Sequence, residues 1–108
     1  MTDESQILIP DSFIRLHQDA RRRWTSPREL VRERYEFCED LAHALIEHVR
    51  GVHVEIGVDE QDVLQRCWQG LRQGASGVSE TEADWVVTRL AELLGWPWPH
   101  WLPVPQVD

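Results

Sequence analysis

From Arg28 to Ile56 the chain contains no proline and repeats apolar residues every three or four positions, and that pattern decides the fold class. Leu30, Phe37, Leu41, Ala44, Leu45, His48 and Val52 recur at helical spacing, and Val31, Tyr35, Cys38, Ala42 and Val49 widen the same side. Glu29, Arg32, Glu33, Glu36, Asp40, His43, Glu47 and Arg50 line the opposite side. The spacing predicts an amphipathic helix of about seven turns, whose apolar stripe has to be buried against other helices. Ser26-Pro27-Arg28-Glu29 reads as its start: a serine cap, proline at the first helical position, and a glutamate closing a capping box. Farther on, Val52 to Ile56 alternates like a strand, but a lone strand has no partner here, and one glycine inside a helix costs only about 1 kcal/mol. The helix is therefore expected to pass Gly51 and stop at Gly57.

Two further helices open with one signature. Gly57-Val58-Asp59-Glu60 and Gly77-Val78-Ser79-Glu80 each combine a glycine, an apolar residue outside the helix, an oxygen-bearing cap, and acids where the helix dipole favours them. After the caps the segments diverge, so this is recurring cap chemistry and not a solenoid repeat. The third helix is expected to bury Val63, Leu64, Cys67, Trp68 and Leu71 and end near Gly74. The fourth is expected to bury Ala83, Val86, Val87, Leu90, Leu93 and Leu94 and end at Gly95. A first helix from about Asp11 to Arg22 offers Phe13, Ile14, Leu16 and Ala20. The predicted fold is all-α: a compact bundle of about four helices over residues 1–95, followed by an extended Trp/Pro-rich tail, 96–108. At 108 residues, such a domain buries somewhat over 60% of its unfolded surface.

Charge narrows the chemistry. The formal net charge is −8, and all 11 basic residues are arginine. Without lysine there is neither a phosphate loop of the G-x-x-x-x-G-K-[ST] kind nor a Schiff-base nucleophile. The opening Met1-Thr2-Asp3-Glu4 is acidic where a secretory signal is basic, and no apolar run reaches membrane-spanning length, so a cytoplasmic protein is expected. Cys38 and Cys67 fall on apolar helical positions and are read as buried reduced thiols. No metal and no cofactor is expected.

Three stretches carry a resemblance: Ile9-Pro10-Asp11-Ser12-Phe13, Arg34-Tyr35-Glu36-Phe37-Cys38-Glu39-Asp40-Leu41-Ala42, and Gly77-Val78-Ser79 through Trp85-Val86-Val87 to Leu93-Leu94-Gly95-Trp96-Pro97. Together they are similar to short bacterial proteins often labelled ATPases with chaperone activity. The resemblance implies a chaperone-like role; its nucleotide chemistry is not carried over to a chain with no glycine-rich phosphate loop and no lysine.

Four constellations bear on function. Glu36, Glu39, Asp40, His43 and Glu47 have metal-ligand types at helical spacing, yet facing helices offer no second histidine, so a solvated charged face is expected. His48 lies on the apolar stripe and is read as a core-edge histidine; Cys67 is its one conceivable catalytic partner. Arg15, Arg21, Arg22, Arg23, Arg28, Arg32 and Arg34 form a basic band beside Trp24, suited to phosphate and base stacking, although a pI near 5.0 argues against nucleic acid. Finally, Trp96, Trp98 and Trp101 alternate with prolines. Either their indoles cap the open end of the bundle or they are offered to another chain. The expected function is a non-catalytic protein–protein interaction or regulatory, chaperone-like adaptor, with another protein or a second copy in a homodimer as partner. Its expected binding residues are Trp96, Trp98, Trp101, Arg21, Arg22, Arg23 and Trp24. The alternatives are a small nucleic-acid- or nucleotide-associated regulator using the Arg15 to Arg34 band, and a metal- or thiol-dependent enzyme.

Overall fold

The computed structural model describes residues 8–102, and within them the architecture is all-α, as expected. The part of the expected tail from 103 to 108 lies outside the described residues.

Helix α1 covers Asp11–Ile14 and runs into a 3-10 turn, Arg15–His17. It stops well short of the expected Arg22. Asp19 is the cause: its carboxylate accepts the backbone N–H groups of Arg21 and Arg23, each at 2.9 Å, which draws the chain into a turn instead of a helix. Arg22 takes a left-handed φ of 65°, and Gln18 and Trp24 close the loop as an antiparallel bridge.

Helices α2 (Arg28–Ala44) and α3 (Ile46–Gly51) are separated only by Leu45, and a wider π-helical turn, Val52–Ile56, completes the succession. It passes Gly51 and stops at Gly57, where φ is +78° and glycine is the residue without a Cβ penalty. The start differs from the expectation. Pro27 has a ψ of 145° and is itself the cap, so Ser26 lies outside the helix and no side chain caps it. The apolar face is also turned. Val31, Cys38, Ala42 and Val49 are fully buried, whereas Leu30 and Phe37 stay 43% and 41% exposed, and Ala44 and His48 face solvent. The margin of the predicted stripe is its centre because α5 packs along α2, and close approach of two helices is easier over the smaller row of side chains.

Helix α4 spans Glu60–Leu71 and α5 spans Glu80–Leu94. Asp59 caps the first by accepting from the Gln61 N–H at 3.0 Å. Ser79 caps the second in a reciprocal capping box with Glu82, and Gly95, at φ +71°, ends it. Both starts and the Gly95 stop are as the sequence indicates. The core gathers Phe13, Leu64, Val86, Val87 and Leu90, with Cys67 and Trp68 half-buried at its edge. Trp85, absent from the expected core, is 92% buried and sits edge-on to Phe13 and Tyr35, with ring centroids 5.1 and 5.8 Å away.

Candidate functional site: a groove walled by the C-terminal segment

The residues after Gly95 run extended to Pro99 and turn at His100–Trp101. Prolines at 97 and 99 remove backbone donors, so side chains attach this segment to the bundle. Gln61 makes two of the attachments: its amide N–H donates to the Pro97 carbonyl at 3.0 Å, and its carbonyl oxygen accepts from the Trp101 indole at 2.8 Å. Trp101 lies against Trp68 at 5.3 Å between centroids, and Trp96 lies edge-on to His53 at 5.0 Å. Two of the three tail tryptophans thus cover the chain's own bundle. Trp98 does not; it is 65% exposed.

Folding the segment back creates a groove of about 800 Å³. Pro10 and Ser12 come from the cap and body of α1, Leu16 from the 3-10 turn after it, Tyr35 from α2, and Trp85 and Thr88 from α5. The C-terminal segment closes the far side with Trp98, Pro99, His100 and Leu102. Apolar and aromatic surface dominates, and the polar groups are few and mostly committed. Ser12 Oγ accepts from the Trp85 indole at 2.9 Å, and the Thr88 hydroxyl donates to the Asp84 carbonyl at 2.9 Å. Among the described residues, no hydroxyl lining the groove is hydrogen-bonded to a histidine.

Its charge is set by three residues of α5, Asp84, Arg89 and Glu92, and their partners. Arg89 lines the groove, but its Nε and Nη2 donate to Glu39 on α2 at 2.9 Å each, and Nη1 reaches Glu92 at 3.4 Å. That bonding raises the Arg89 guanidinium above its ordinary value and holds the Glu39 carboxyl below its own. Asp84 accepts from the Trp68 indole at 2.6 Å, and Arg72, 3.9 Å from it, is shared with Glu80 at 3.2 Å. Of the side chains that line the groove, two carboxylates, Asp84 and Glu92, stand against one guanidinium, Arg89, an excess of one negative charge.

A second, smaller groove of about 420 Å³ is shared by α3, the turn after it and α4, and both His48 and Cys67 line it. No hydrogen bond joins them among the described residues. Burial pushes the Cys67 thiol up to about 11; burial, followed by the negative charge of Glu82, pushes Cys38 up to about 12. At neutral pH such thiols hold about one part in ten thousand of thiolate or less, the wrong state for a nucleophile. The acidic side of α2 is likewise used structurally, with Glu39 joined to Arg89 and His43 Nε2 3.0 Å from Glu39. Among the described residues, no three His, Cys, Asp or Glu side chains are grouped to hold a metal ion.

The basic band is dispersed. Arg34 is drawn inward to Glu82, Arg23 pairs with Asp19, and Arg32 pairs with Glu36. Arg21 and Arg22 are exposed on the Asp19 turn, and Trp24 is half-buried beneath the Arg28 guanidinium, 5.0 Å from its ring centre. None of Arg21, Arg22, Arg23 or Trp24 reaches the large groove.

Sequence reading finds Trp98 but misses Tyr35, Trp85, Arg89 and Glu92, the rest of the site. One signal was available for Trp85, which stands one turn from Thr88 and Arg89 on an apolar helix. Nothing in the sequence announces that residues 96–102 return to α5. No helix among the described residues is long and apolar enough to cross a membrane. No protein-family model, curated protein or solved structure matches the chain.

Proposed function

We propose that this chain is a non-catalytic protein-interaction module, and that the groove between α1, α5 and the C-terminal segment is where a partner's peptide docks. The observation that supports the reading is Trp98: an indole left 65% exposed at the rim of an apolar groove, while its neighbours Trp96 and Trp101 are packed away. Exposed tryptophan is a liability unless something covers it, and tryptophan is prominent among the residues that dominate interface energetics. The groove is concave, aromatic and sparsely polar, the character of a binding site. A chaperone-like adaptor role, suggested by the sequence resemblance, agrees with a surface that accepts exposed segments of other proteins.

Selection of a random peptide library on the full chain tests this. Enriched peptides are expected to compete with one another and to lose at least tenfold in affinity to the Trp98→Ala variant. Enriched peptides indifferent to Trp98→Ala, or no enrichment at all, overturn the proposal.

A further inference from the structure

The walls of the groove narrow the class of peptide. Its C-terminal side is built of backbone that cannot extend a sheet, because Pro97 and Pro99 carry no N–H and the Pro97 carbonyl is already taken by Gln61. An incoming strand would find no regular row of donors and acceptors, so pairing of main chains is not the mode of recognition. What the groove offers instead is ring surface: half-buried Tyr35 and the small exposed edge of Trp85 on the bundle side, and the largely exposed Trp98 opposite. Aromatic walls of this kind receive a left-handed, proline-bearing helix of the polyproline type, which is extended before it binds and loses little entropy on docking.

The electrostatics add a second requirement. Glu92 is 42% exposed, and its one ion-pair partner among the described residues is Arg89 at 3.4 Å, a guanidinium already held by Glu39. Asp84 accepts the Trp68 indole N–H, and its nearest guanidinium among the described residues is Arg72 at 3.9 Å. Besides Arg89, His100 is the basic side chain on the groove wall. A guanidinium on the peptide therefore gains two favourable contacts at once: carboxylates on α5 and the exposed face of Trp98 for a cation–π stack. An acidic peptide meets the opposite field.

Resting on the reading of the groove as a peptide site, we infer that its occupant is an extended segment of a partner protein that carries both proline and arginine. Three synthetic peptides of one length, alternating proline with arginine, glutamine or glutamate and labelled at one end, distinguish the possibilities by fluorescence anisotropy with the full chain. The arginine peptide is expected to bind about tenfold more tightly than the glutamine peptide at low salt, the glutamate peptide to bind weakest, and the arginine advantage to shrink severalfold at about 0.5 M salt. Glu92→Gln is expected to reduce the arginine preference while leaving glutamine-peptide affinity in place. Trp98→Ala weakens all three. Equal affinity for the arginine and glutamine peptides, with Trp98 still required, overturns the charge inference and leaves the groove reading standing. Absence of binding by all three overturns both, as does binding of the arginine peptide that survives Trp98→Ala.

Discussion

Among the described residues, Glu82 is the one charged side chain that is buried, 3% exposed, and its surroundings show how a carboxylate is held there. Arg34 donates to it twice, at 2.7 and 3.0 Å, and the Ser79 N–H donates at 2.9 Å. His17 Nε2 lies 3.5 Å away and has no hydrogen-bond partner of its own. Burial alone would raise the Glu82 carboxyl; the Arg34 and Ser79 hydrogen bonds outweigh it and hold the group below 4.5. The folded state therefore binds this proton less readily than the unfolded chain. Stability from Glu82 is complete above about pH 4.5 and is lost as pH falls through the lower folded value; Glu39 acts with the same sign. Arg34→Ala strands a buried charge and is expected to cost about 3 kcal/mol in urea denaturation at neutral pH, with the loss shrinking in acid as Glu82 takes up its proton. A loss below about 1 kcal/mol would mean that this ion pair contributes little. At this scale the sequence shows Ser79 as a cap because capping is local, but it hides the arginine that completes the arrangement. Arg34 and Glu82 lie 48 residues apart, and Arg34 stands in a run of charges that reads equally well as a solvated face.

At the scale of elements, local rules and tertiary packing part company. Helix ends governed by glycine in the left-handed conformation or by an oxygen-bearing cap, such as Gly57, Asp59, Ser79 and Gly95, are legible because the deciding atoms are neighbours in sequence. The Asp19 turn uses similarly local chemistry, yet it was hidden by an apolar period that runs on through Ala20. The face that α2 buries is not local at all. Leu30 and Phe37 match the helical period as well as Val31 and Cys38 do, and only the approach of α5 selects between them. The C-terminal segment is the third case: its prolines forbid a helix, but its docking depends on Gln61, Trp68 and His53 from a different part of the chain. That docking predicts a sharp contrast. Trp101→Ala removes a half-buried ring and a hydrogen bond and is expected to cost about 2 kcal/mol, a fall in Tm of roughly 10 °C, whereas Trp98→Ala is expected to shift Tm by no more than about 2 °C. Thermal melts of the two variants check this; equal losses would contradict the placement of the two rings.

For the molecule as a whole, the missing lysine acquires a spatial meaning. Residues 1–54 carry ten acids and eight arginines, while residues 55–108 carry nine acids and three. The arginines left for the second half, Arg66, Arg72 and Arg89, are too few to balance it, and two of them are drawn into ion pairs, Arg72 with Glu80 and Arg89 with Glu39. An acidic, aromatic cleft on α5 follows from that shortage, with the exposed Arg21 and Arg22 on a loop outside it. The central claim is that this cleft, and Trp98 in particular, receives a partner's peptide. The six indole N–H groups of the full chain give six reporters in a proton–nitrogen NMR spectrum, and titration with the proline–arginine peptide reads them together. The Trp98 and Trp85 signals are expected to move progressively while those of Trp24 and Trp96 stay in place. Movement centred on Trp24 instead, beside the exposed arginines, or no movement of Trp98 at saturating peptide, would contradict the account.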